Sequence, residues 1–92
     1  MEDSVHLIEQ YCIVKASPQY FSSKIKITVD FGDKSESNYD EQTDSETLLG
    51  MTSLVDALNY MAKKGWQLAN SYTYNDPTKG ALQHYMMKKR LR

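Results

Sequence analysis

Ile25, Ile27, Val29 and Phe31 alternate with Lys24, Lys26, Thr28 and Asp30. Period-two spacing puts the apolar set on one face and the lysines in water, which predicts a half-buried antiparallel strand over 24–31, ended by Gly32. Upstream, Val5, Leu7, Ile8, Tyr11, Ile13 and Val14 supply β-branched and aromatic side chains with no helical stripe. They predict a first strand over 5–16, its poor alternation implying that both faces are partly covered. Ser17-Pro18 is expected to break it, because proline cannot donate to a ladder.

The period changes after residue 50. Leu54, Val55, Leu58, Met61 and Ala62 recur at three- and four-residue steps and predict one amphipathic helix over 53–64. Ser53 is its expected N-cap, with Asp56 three residues on, and Gly65 supplies the left-handed residue that stops it. On a helical wheel Tyr60 falls almost opposite the stripe, so core packing explains it least among the aromatic residues. A third strand follows over 66–74, with Trp66, Leu68, Asn70, Tyr72 and Tyr74 expected on one face. Asn75 to Gly80 reads as a turn, in which Pro77 presets one backbone angle and Gly80 permits a positive one. A fourth strand spans 81–89. Its faces, Leu82/His84/Met86 and Ala81/Gln83/Tyr85/Met87, are about equally apolar, so the pattern does not say which meets the helix.

Two hairpins flanking one helix predict an α+β fold of order ββαββ, a four-stranded antiparallel sheet with that helix on one face. No second helix is expected for the other face, although Tyr11, Ile13, Tyr72, Tyr85 and Met87 cannot all lie on the helix side. An apolar open face would favour homodimerisation by sheet packing or edge pairing.

The 92 residues suit a single domain over 1–92. Charge is near balance at −1 but segregated. Asp30, Asp33, Glu36, Asp40, Glu41, Asp44 and Glu46 are set against one base, Lys34, while Lys63, Lys64, Lys79, Lys88, Lys89, Arg90 and Arg92 are set against Asp76. The run 33–46, rich in Asp, Glu, Ser and Asn, is expected to be a mobile acidic loop. No apolar run is long enough to span a bilayer, and the acidic start Met1-Glu2-Asp3-Ser4 lacks the apolar core of a secretory signal. The single cysteine, Cys12, can form neither an internal disulfide nor a thiolate zinc site. These features predict a cytoplasmic, bacterial-type domain.

The stretch from Ser53 to Leu68, with its helix ending in Gly65-Trp66, resembles a family of small uncharacterised bacterial proteins that includes hypothetical proteins of gut bacteria. There a helix closes in Gly-Trp and a Glu- or Gln-Leu strand follows. The last strand then ends in aromatic, aliphatic and basic residues, as His84-Tyr85-Met86-Met87-Lys88-Lys89-Arg90 does here. The likeness covers roughly the C-terminal 40 residues and departs at Asn70-Ser71-Tyr72, where the family is more apolar. It implies a fold and no activity, because that family is a domain of unknown function. Gly65 and Trp66 have a sufficient structural reading: glycine closes the helix and tryptophan plugs the gap between helix end and sheet.

No catalytic, metal-binding or cofactor-binding residue stands out. His6 and His84 lie at opposite ends of the chain without metal-ligand spacing, and the glycines form no phosphate loop. Cys12 with His84 could pair as nucleophile and base, but a buried structural cysteine is the simpler expectation. The expected role is therefore a protein–protein interaction or accessory module, not an enzyme. The candidate interaction residues are Tyr60, Tyr72, Tyr85, Lys88, Lys89 and Arg90, and the expected partner is a second copy or another protein. Single-stranded nucleic acid bound by sheet tyrosines and the basic C-terminus is the alternative, opposed by the neutral net charge and the acidic segment.

Overall fold

The structure is a computed structural model that describes residues 9–19, 22–32 and 39–90. Its elements run β1 (Glu9–Gln19), β2 (Ser22–Asp30), α1 (Tyr39–Leu49), α2 (Leu54–Lys63), β3 (Gln67–Asp76) and β4 (Gly80–Arg90). The strands form one antiparallel sheet of order β2-β1-β4-β3, so the hairpins β1–β2 and β3–β4 join through β1 and β4. The α+β class and the four-stranded antiparallel sheet are as expected; the number of helices is not.

The second helix, α1, lies where a loop was expected. Of the segment 33–46, residues 33–38 lie outside the described residues, whereas 39–46 are helical. The acidic composition hid a buried edge. Leu48 is fully buried in the core, and Asp44, one turn earlier, is buried beside it. The Asp44 carboxylate accepts a hydrogen bond from Tyr60 Oη at 2.7 Å and faces Lys64 Nζ at 3.7 Å. Farther back, Gln10 Nε2 donates to Glu41 Oε2 at 2.9 Å, tying α1 to β1. Polar side chains thus dock this helix, which is why it lacks the apolar stripe that announces one in sequence.

α2 has the expected ends. The Ser53 hydroxyl accepts from the Asp56 N–H at 3.3 Å. At the other end Gly65 takes φ +98°. The Gly65 N–H reaches Ala62 O at 3.0 Å and the Trp66 N–H reaches Met61 O at 3.1 Å, the paired bonds of a Schellman stop. Its buried face is rotated from the expected one. Ala57 and Met61 are buried with Leu58 and Tyr60 packed beside them, while Val55 stays 64 % exposed and Ala62 is also exposed. The presence of α1 on the flank accounts for the rotation, because Tyr60 turns toward Asp44.

Both helices make their closest approach to the β2 side of the sheet. The core there joins Cys12, Val14, Ile27, Leu48, Ala57, Met61, Trp66 and Met87. Trp66 is 6.0 Å from Phe31, ring centre to ring centre, and carries Lys89 Nζ 4.8 Å above it. β1 continues through Ser17-Pro18, contrary to the expected break, and the portion of the expected strand before Glu9 lies outside the described residues. The β4 ladder ends at Ala16, so Pro18 has a strand on one side only and its missing N–H is tolerated.

Helices of 10 and 11 residues span about 15–17 Å, whereas 11-residue strands reach about 36 Å. The β3–β4 hairpin therefore runs out beyond the helical layer. Every residue of β3 before Asp76 is exposed.

Candidate functional site

Register decides which side chains share the face away from the helices. Across β1 and β4, Cys12 pairs with Met87 and Val14 with Tyr85, which places Tyr85, Met87 and Lys89 on the helix side. The alternate pairs, Tyr11 with Lys88, Ile13 with Met86 and Lys15 with His84, point to the open side. The ambiguity of the last strand is thereby resolved: Met87 and Tyr85 face the helices, and Leu82, His84 and Met86 face away.

β3 adds its tyrosines to the same open side through an irregularity. Leu68 pairs with Met87 on the helix side, but the register shifts between Leu68 and Asn70. Asn70 then pairs with Met86, Tyr72 with His84 and Tyr74 with Leu82. Strict alternation had placed Leu68, Tyr72 and Tyr74 together; the extra residue, Ala69, turns the tyrosines to the opposite face. Beyond the bulge the helix-side positions Ser71, Thr73, Asn75 and Gln83 are polar and exposed, as suits a hairpin with no helix over it.

His84 anchors the open-face cluster. Tyr74 stacks on it with centroids 5.6 Å apart and an interplanar angle of 17°, and Tyr72 meets it edge-on at 5.1 Å. Its Nδ1 lies 3.2 Å from Tyr72 Oη. Partial burial, with the Lys15 charge beside it, lowers its pKa below the usual 6.5. Tyr72 and Tyr74 remain 41 % and 47 % exposed. At the other end of the face, Tyr11, Ile13, Asp30, Phe31 and Met86 line a shallow hollow of about 180 Å³. Charges on this face come in opposed pairs, Lys15 with Asp30 at 3.8 Å and Lys88 with Glu9 at 3.9 Å. Arg90 also stands opposite Glu9.

The expected site residues fall in three places. Tyr72, Lys88 and Arg90 share the open face. Tyr85 and Lys89 lie on the helix side, Tyr85 packed on the core and Lys89 over Trp66. Tyr60 joins the two helices through Asp44, so packing and hydrogen bonding explain it after all. The candidate residues read from the sequence did not include Tyr11, Ile13, Tyr74 and Met86, because the alternation in β1 is poor, the two faces of β4 are about equally apolar and the parity of β3 is reversed at Ala69.

A second concave region of about 360 Å³ gathers Lys64, Lys88, Lys89 and Arg90 with Glu9 near the end of α2. Lys64 and Lys88 face carboxylates and Lys89 sits on an indole, which leaves a weak field for an anion. Cys12 and His84 lie on opposite faces and do not meet. Burial pushes the Cys12 thiol up to about 12, so it stays protonated. Among the described residues no group of three His, Cys, Asp or Glu side chains is placed to hold a metal, and no helix is long and apolar enough to cross a membrane. His6 lies outside the described residues. No family model, curated protein or solved structure matches this chain.

Proposed function

We propose that this protein is an accessory binding module that contacts a protein partner through the open face of its sheet, in a cytoplasmic setting that a buried, unpaired thiol suits. The observation that carries this reading is the placement of Tyr11, Ile13, Tyr72, Tyr74 and Met86 on the face that neither helix covers. Tyrosine offers large apolar area with few torsions to freeze, and methionine adds a flexible side chain that adapts to a partner's surface, both of which are enriched at protein interfaces. The charges flanking them include the opposite-sign pairs Lys15–Asp30 and Lys88–Glu9, which weaken the field that would draw a polyanion.

A photoreactive phenylalanine analogue at Tyr74 tests the reading against the same analogue at Val55, which is exposed on α2. Protease-sensitive adducts of defined mass from Tyr74 and not from Val55 are the expected result. Adducts equally abundant from both positions would contradict it.

Single-stranded nucleic acid is the second reading, favoured by one observation: Tyr74 and His84 already form a stacked pair on an open sheet, with Lys88 and Arg90 on the same face. It predicts nuclease-sensitive adducts at Tyr74 and an affinity that falls steeply with salt and with Lys88→Ala and Arg90→Ala.

A further inference from the structure

We propose that the outer edge of β3 pairs two copies of this chain, antiparallel across a two-fold axis, so that two four-stranded sheets become one continuous sheet. β3 is a 10-residue edge strand, about 33 Å long, with exposed side chains on both faces. Its outward N–H and C=O groups form a template for another strand, and natural sequences usually blunt such an edge with lysine, proline or an inward charge. From Gln67 to Asn75 there is no Pro, Lys, Arg, Asp or Glu. The one irregularity sits near the start, and pairing with β4 is regular from Asn70 to Asp76.

Charge selects a second copy as the occupant. A two-fold antiparallel pairing lays the strand against itself, and a segment without charge meets its copy without repulsion. The ends are matched as well. Asp76 of one copy approaches the Gln67 end of the other, where Lys88 stands opposite Gln67. Neither helix obstructs the approach, since both lie toward β2. The assembly also closes at two chains, because the other edge, β2, carries exposed Lys26 and has α1 against it. The proposal uses the backbone of an edge and is independent of what the open face binds.

Sedimentation velocity on the full chain over a concentration series tests it, with the double variant Ser71→Lys/Thr73→Lys as the probe. These positions face away from the tyrosines, and in the paired state each lysine would lie near its copy. The wild type is expected to rise from 10.6 kDa toward twice that mass. The variant should raise the dimer dissociation constant by roughly tenfold or more while leaving the unfolding temperature of the dilute monomer unchanged. If the double variant does not fold, Thr73→Glu makes the same test. A wild type that stays monomeric into the high-micromolar range would overturn the proposal, and so would a dimer indifferent to charge at 71 and 73.

Discussion

The two edges of the sheet are built on different principles. At β2 the alternation is clean: Ile27 is fully buried, Lys26 faces water, and α1 lies alongside. At β3 every residue before Asp76 is exposed, the strand from Gln67 to Asn75 is neutral, and both tyrosines sit on the face without a helix. The same chain therefore closes one side of its sheet and leaves the other available. Stability should reside near β2, and binding should reside near β3.

The largest effect that can break this comparison is on the closed side. Leu48→Ala should cost about 2–5 kcal/mol in denaturant unfolding, because a fully buried side chain leaves a cavity between α1 and the sheet. Leu68→Ala, on a β3 side chain 55 % exposed, should stay within about 0.5 kcal/mol. Equal costs would show that the two edges do not differ as described. Next in size is Tyr60→Phe, which keeps the ring but removes the hydrogen bond to buried Asp44, at an expected cost of about 1–3 kcal/mol by the same measurement. Lys26→Val removes a guard from β2, and light scattering should then detect species larger than two chains.

The smallest expected effect is a pH dependence on the open face. His84 has a folded-state pKa below 6.5, so the unfolded chain binds its proton first. Its contribution to stability is fully present above 6.5 and is lost as pH falls through that value toward the folded pKa. The wild type should lose stability relative to His84→Gln between about pH 7 and about pH 5, read as converging unfolding midpoints. Parallel midpoints would show that His84 is not held neutral by its surroundings.

Local rules recovered most of the closed side except its outer helix. The β2 alternation, the Ser53 cap and the Gly65 stop are each decided within a few residues, and each stands where the sequence placed it. α1 was illegible because its buried positions include Asp44, whose burial depends on Tyr60 and Lys64 from another helix. The site was half legible. Tyr72, Lys88 and Arg90 do share the open face, but a single extra residue at Ala69 reverses the parity of β3, and no local pattern announces that shift. Tyr60 was misread for the same reason as α1, since its partner could not be seen in the helical wheel.

Amide hydrogen exchange resolved by residue, at low and high protein concentration, tests the contrast between the edges most directly. Amides of β1 and β2 in the core should exchange slowly at both concentrations, and those of β3 should exchange quickly when dilute. On concentrating the sample, protection should rise in the stretch from Gln67 to Asp76 and leave β2 unchanged. Protection of β3 equal to that of β2 in dilute solution, or gains with concentration confined to β2, would contradict the account.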